Sequence, residues 1–244
     1  MIRVEGFSKK YGEFAAVRDL DFEVRPGSIL GLVGANGAGK TTTLRTLSGI
    51  VSPTTGSLSI AGHDIVNDSV RAKLSLGYIP DDPRLFDTLT VWEHLAFTAA
   101  AYRVAEFEAT AESLLQLFEL SAKRDTPAHS LSRGMRQKVA IACAYLHTPK
   151  ALLFDEPLTG LDPQGIQTIQ TSLREKARDG TAVVISSHLL SLVEELCTHV
   201  LVLDHGQCLW FGPIEQALQM SAGASDTTSL EEAFFRLTGR GAQE

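Results

Sequence analysis

Gly34-Ala35-Asn36-Gly37-Ala38-Gly39-Lys40-Thr41 fits the pattern G-x-x-x-x-G-K-[ST], and each part of that pattern has a physical task. Gly34, Gly37 and Gly39 let the backbone curl until several N–H groups point inward at one anion. Lys40 adds a mobile positive charge suited to β- and γ-phosphates, and the Thr41 hydroxyl is placed to ligate Mg²⁺. Asn36, Ala38 and Thr42 complete the nucleotide-binding loop. Residues 29–33 form an apolar strand run before the loop, and residues 42–47 begin a helix after it, whose N-terminal dipole favours anions. Strand, glycine loop and helix in that order predict an α/β fold built on a P-loop core with a mainly parallel sheet.

Working outward, Ile2, Val4 and Phe7 read as a first strand. Leu20, Phe22 and Val24 alternate with Asp19, Asp21 and Glu23, the pattern of a strand with one wet face, and residues 57–61 alternate again. These segments predict an N-terminal antiparallel β layer. Residues 76–79 give another short strand before Pro80. From 88 to 148 the texture becomes helical, which predicts an inserted helical subdomain. Thr90-Val91-Trp92-Glu93 is a capping box that starts a helix running to about residue 104. Residues 105–120 make a second helix. Ser132 caps a third, in which Val139, Ala142, Cys143 and Leu146 share a face. The apolar runs 152–154 and 182–185 read as strands buried on both faces. Residues 200–203 and 208–211 form a hairpin, and 221–228 reads as a mobile polar loop. A second capping box at Ser229 opens a short final helix over about 229–238. Together these predict a single domain over residues 1–240.

The chain has 244 residues and a net charge of −7. No basic stripe stands out, which argues against nucleic acid as a partner, because phosphate neutralisation needs clustered Lys and Arg. Cys143, Cys197 and Cys208 show no C-x-x-C spacing and read as small apolar fillers in a reducing compartment. Arg3 and Glu5 sit within a strand-like pattern, so the N-terminus is not expected to be a signal peptide. No apolar run approaches the ~20 residues that span a bilayer. Any membrane crossing is expected to come from other chains.

Asp155-Glu156 follows the apolar run 152–154, at the sheet edge where open α/β sheets bind ligands. Asp155 is the natural partner of Mg²⁺ through water, and Glu156 is then the general base for an attacking water. His188 follows the strand at 182–185 and is expected at the same edge, bonding a γ-phosphate and holding the water and Glu156 in register. Ser132 and the N–H groups after it make a helix N-terminus that can receive an anion, but taken alone sequence physics raises it little above an ordinary N-cap.

These motifs, in this order, resemble the nucleotide-binding subunit of an ATP-binding cassette (ABC) transporter over nearly the whole chain. Leu131-Ser132-Arg133-Gly134-Met135-Arg136-Gln137 resembles the family's signature sequence, residues 152–156 its Walker B strand, Leu161-Asp162 its D-loop, and His188 its switch histidine. Tyr11 sits where the family stacks an aromatic ring on adenine. The resemblance implies an ATPase using ATP and Mg²⁺. It also implies that two cassettes, as a homodimer or with a related chain, face head to tail. Ser132, Arg133, Gly134, Met135 and Asp162 would then contact the nucleotide held by the partner. Integral membrane permease chains would receive the motion through the groove beside the helical subdomain. The chain would be cytoplasmic, peripheral at the cytoplasmic face of the inner (cell) membrane.

Two departures stand out. Arg133 and Met135 replace the family's usual Gly and Gln, and Arg133 would add charge near the partner's nucleotide. Asp81, after Tyr78-Ile79-Pro80, stands where the family usually has Gln. It either binds Mg²⁺ more tightly or crowds Glu156 and raises a carboxyl pKa. Arg133-Gly134-Met135-Arg136-Gln137 resembles exporter cassettes whose membrane domain is a separate chain, so export is the expected direction, with import as the alternative. A soluble, non-transport ABC ATPase is a further alternative. Only 115 positions separate Lys40 from Asp155, however, with no sustained heptads of the kind the DNA-repair members carry.

Overall fold

The structure is a computed structural model and describes residues 1–221 and 229–239. Strand β1 (Ile2–Tyr11) pairs antiparallel with β2 (Phe14–Val24) through a hairpin over Gly12 and Glu13. After β3 (Ile29–Val33) and helix α1 (Lys40–Leu47), β4 (Thr55–Ile60) pairs with the other side of β1, and β5 (His63–Asp64) extends the sheet to the order β2-β1-β4-β5. Ile2, Val4, Phe7, Val17, Leu20 and Leu58 are buried on its inner face. This is the antiparallel layer that the alternation predicts.

The chain then runs through α2 (Ser69–Leu74), β6 (Leu76–Ile79), α3 (Val91–Tyr102), α4 (Phe107–Leu117), α5 (Arg133–Leu146), β7 (Ala151–Asp155), α6 (Pro163–Arg178), β8 (Ala182–Ser186), α7 (Leu190–Leu196), β9 (His199–Asp204), β10 (Gln207–Pro213), α8 (Ile214–Ser221) and α9 (Leu230–Thr238). The second sheet has the order β10-β9-β3-β8-β7-β6. It is parallel from β6 to β9, and β10 returns antiparallel in the expected hairpin. Strands β3, β7 and β8 are buried at every residue, and their alternation serves two cores. Leu30, Leu32, Leu153 and Val184 face α1 and the antiparallel layer. Ile29, Val33, Phe154 and Ile185 face the helices on the other side. This double covering is why the runs are unbroken in sequence.

The Thr90 capping box forms in full: Thr90 Oγ1 accepts from Glu93 N–H and Glu93 Oε2 accepts from Thr90 N–H. Helix α4 is shorter than the expected 105–120. It stops at Leu117, and Phe118 and Leu120 are buried from the turn that follows, where Glu119 adopts a positive φ. Sequence reasoning did not identify α2, α6, α7 or α8. Helix α6 is the largest omission, although Asp162 caps it, Pro163 occupies its first turn, and Ile169, Leu173 and Ala177 recur along its buried side. Ser229 caps α9 by accepting from Glu232 N–H. The loop expected at 221–228 lies outside the described residues, apart from Ser221 at the end of α8. Burial pushes the Cys143 thiol up to about 11 and the Cys197 thiol up to about 12, which keeps both in the neutral thiol form.

Candidate functional site

The parallel sheet delivers three loops to one edge. β3 ends in the glycine loop, β7 ends at Asp155, and β8 ends at Ser186, which lies in register with Asp155 on one side and Leu32 on the other. The loop itself is shaped by its glycines. Gly39 has φ +109, and a Cβ there would stand 2.7 Å from the Ala16 carbonyl oxygen; at Gly34 a Cβ would collide with the Leu203 carbonyl. Only glycine lets the loop turn this tightly between β2 and β9.

Above this edge lies a cavity of about 390 Å³. Asn36, Gly37, Ala38, Gly39, Lys40, Thr41 and Thr42 form its floor, Asp155, Glu156 and Asp81 one wall, and Tyr11, Phe14 and Ala16 the other. Lys40 is buried and its Nζ donates to the carbonyls of Gly34 (2.7 Å) and Ala35 (3.3 Å). Desolvation lowers its pKa, with Glu156 and Asp155 pulling the other way. Asp155 is 3% exposed, and its Oδ1 accepts from Thr41 Oγ1 at 3.2 Å and from Ser186 Oγ at 2.6 Å. Glu156 turns out of β7 with φ +49, a left-handed conformation unusual for a non-glycine residue. Ser186 steadies that turn, since its Oγ and its carbonyl both accept from Glu156 N–H. Glu156 Oε2 accepts from His188 Nδ1 at 2.8 Å. Burial raises the Glu156 pKa, and His188 and Lys40 oppose that shift. Burial therefore perturbs this carboxyl, rather than the crowding by Asp81 entertained from the sequence.

Tyr11 and Phe14 are register partners across the β1–β2 hairpin, and both rings are exposed on the cavity rim. Lys9 Nζ lies 5.0 Å from the Tyr11 ring centre. The residues expected to act in trans lie elsewhere. Ser132 is exposed and caps α5 by accepting from Met135 N–H at 3.3 Å, while Met135 packs against the helical core. Asp162 caps α6 by accepting from Gly165 N–H. Gly134 sits against the Gly160 carbonyl. None of Ser132, Arg133, Gly134, Met135 and Asp162 lines the cavity. Arg133 instead reaches Asp81 of its own chain, Nη2 to Oδ1 at 3.0 Å.

Phe14 and Ser186 are site residues that sequence reasoning missed. Phe14 was legible as the second aromatic of the hairpin Tyr11-Gly12-Glu13-Phe14, and Ser186 as the residue that ends β8 beside Asp155. The donor set suits Mg²⁺: the Thr41 hydroxyl offers a hard oxygen, and the Asp155 carboxylate bonded to it can act on the ion through water, both lining the same cavity as the glycine loop. Among the described residues no group of three or more His, Cys, Asp or Glu side chains makes a metal cage of its own. Mg²⁺ takes only one or two protein ligands and completes its shell with phosphate oxygens and water.

Residues 17–159 match the family model described as ABC transporter. The chain is 33% identical over 241 residues to the ABC-type transporter ATP-binding protein EcsA of Bacillus subtilis, covering 98% of this chain and 96% of EcsA. It is 37% identical over 209 residues to the Nod factor export ATP-binding protein I of Ralstonia nicotianae, covering 85% of this chain but only 65% of that protein. Among solved structures, the ATP-binding subunit of an ABC transporter superposes with TM-score 0.92 at 32% identity, covering 98% of this chain and 99% of that one. With the glycine loop, the Asp155–Glu156 edge and this likeness along almost its full length, the chain belongs to the ABC transporter family, as an ATP-binding, ATP-hydrolysing subunit.

Proposed function

We propose that the cavity holds MgATP and that Glu156 draws the proton from the attacking water. Gly34 through Thr42 embrace the phosphates, with Lys40 leaving its two carbonyl partners for the β- and γ-phosphates. Tyr11 stacks on adenine, flanked by Phe14. Thr41 and Asp155 hold Mg²⁺, which when bound supplies positive charge to the phosphate oxygens. Asp81 stands beside them on the same wall. A water oxygen bonds to the γ-phosphorus as the bond to the bridging oxygen breaks, its proton passes to Glu156, and ADP and phosphate depart. His188 holds the Glu156 carboxylate in place and reaches the γ-phosphate. The observation that carries this reading is the contact of Glu156 with His188 beside Lys40, Thr41 and Asp155.

In the same reading, ATP joins two copies, or this chain and a related one. Ser132, Arg133, Gly134, Met135 and Asp162 present the second contact to the partner's nucleotide, consistent with their position outside the cavity of their own chain. Hydrolysis severs the shared γ-phosphate and releases the pair, because a ligand drives a change only through unequal affinity for two states. Residues 1–240 act as one domain in which the helical subdomain (about 88–148) moves against the sheets, with a short helix at about 229–238.

A groove of about 290 Å³ between the loop after β6 and helices α3 and α5 receives the permease chains. It is lined by Pro83, Phe86, Phe97, Tyr102 and His147, with Phe86 and Phe97 exposed. Among the described residues no helix is long and apolar enough to cross a membrane; the permease chains supply the crossing, with this chain docked on their cytoplasmic face. Export is the direction favoured by the Arg133–Gln137 signature and by the export named in the Nod factor relative.

The direct test is to measure MgATP binding and phosphate release by the purified protein beside Lys40→Ala. Binding and turnover lost together in the variant support the reading. Equal activity of the two proteins would sink it.

A further inference from the structure

Asp81 places a carboxylate in a cavity that must accept a polyanion. Lys40, Asp155 and Glu156 share that cavity, so Asp81 adds a third acid against one lysine. Arg133 answers this charge. Its Nη2 stands 3.0 Å from Asp81 Oδ1, and both side chains are about half exposed, so the pair contributes little to folding. The backbone nearby nevertheless sets where the arginine stem runs. A Cβ built on Gly160 would stand 3.2 Å from Arg133 Cδ, so the arginine stem lies along that glycine, and Gly134 meets the Gly160 carbonyl. The start of α5 is thus held against the turn after β7, and the guanidinium spans from there to the cavity wall.

We propose that Arg133 is the counter-ion that makes Asp81 compatible with bound triphosphate, acting within its own chain as a positioning residue through Asp81. This rests on the reading that the cavity binds ATP. It differs from the trans contact expected for Arg133, because it operates in a single copy. Without Arg133, the Asp81 charge faces the phosphates uncompensated. A unit charge at the cavity rim, partly screened by solvent, changes affinity by about two- to five-fold.

The test is ATP affinity, with and without Mg²⁺, measured by equilibrium binding at protein concentrations low enough to keep single copies. Arg133→Gln is expected to weaken binding about two- to five-fold, Arg133→Lys to retain it, and Asp81→Asn to tighten it. The double variant Asp81→Asn/Arg133→Gln is expected to return to the wild-type value, and all differences to shrink at high salt. Persistence without Mg²⁺ separates charge compensation from metal ligation. Two results would overturn the proposal: a double variant as weak as Arg133→Gln, or an Arg133→Gln protein that binds like wild type as a single copy and loses only turnover at pairing concentrations. Failure of wild type itself to bind ATP would overturn the nucleotide reading, and this proposal with it.

Discussion

Nδ1 of His188 donates to Oε2 of Glu156 at 2.8 Å, across 32 positions of sequence. The two residues come from the ends of adjacent parallel strands, β8 and β7, and the bond orients a carboxylate that lines the same cavity as Thr41 and Asp155. It also counteracts the burial that raises the pKa of Glu156.

Glu156→Gln removes the proton acceptor while keeping the shape of the side chain. Turnover is expected to fall about 10²–10⁴-fold with MgATP binding retained, and the ATP-bound pair of chains to accumulate. The same change removes a half-buried charge. A carboxyl whose pKa is raised by folding contributes most stability below its unfolded pKa and loses it as pH rises through the folded one. Glu156→Gln should therefore melt above wild type at neutral pH, with the difference closing in acid. Steady-state kinetics and thermal melts across pH check both.

A base must be ionised to work, so activity should fall on the acid side through the raised Glu156 pKa, above the ordinary carboxylate value of 4.5. His188 holds that pKa down. The residual activity of His188→Ala should show its acid limb moved to higher pH. An acid limb that stays in place, measured as kcat against pH, would separate the histidine from the base.

Tyr11→Ala should weaken ATP binding several-fold, since a ring stack is worth on the order of 1 kcal/mol, and leave kcat at saturation unchanged. Phe14→Ala should act in the same direction. Titration with ATP and with a triphosphate lacking the base distinguishes the cause: only the base-bearing ligand should respond.

Ser186→Ala leaves Asp155 Oδ1 without its shortest donor in a site only 3% exposed. Hydrogen bonds to charged groups contribute about 1.5–3 kcal/mol. The variant should melt several degrees lower, at about 2–4 °C per kcal/mol for a chain of this size, and Ser186→Thr should recover part of the loss if its hydroxyl takes the same place.

Much of this was legible because local chemistry and position agree. The glycine loop declares itself by composition, and strands β3, β7 and β8 by unbroken apolar runs that two cores require. Helix α6 went unread because its surface is polar and its buried residues are spaced among glutamines and threonines. Phe14 and Ser186 are ordinary residue types whose meaning comes from register, with Tyr11 in one case and Asp155 in the other. Asp81 and Arg133 read as two unrelated departures because 52 positions separate them. Only the packing of α5 against the turn after β7 makes them partners.

The central claim, one ATP shared between Lys40 of one copy and Ser132 of another, is tested most directly by mixing two inactive chains. Lys40→Ala lacks a working phosphate loop, and Ser132→Arg blocks the exposed start of α5 while leaving its own cavity untouched. A mixed pair contains one complete site, formed by the phosphate loop of the Ser132→Arg chain and the Ser132 of the Lys40→Ala chain. ATPase activity should reappear on mixing and peak near equal amounts. Absence of activity at every ratio, with wild-type rate strictly proportional to protein concentration, would contradict the shared site.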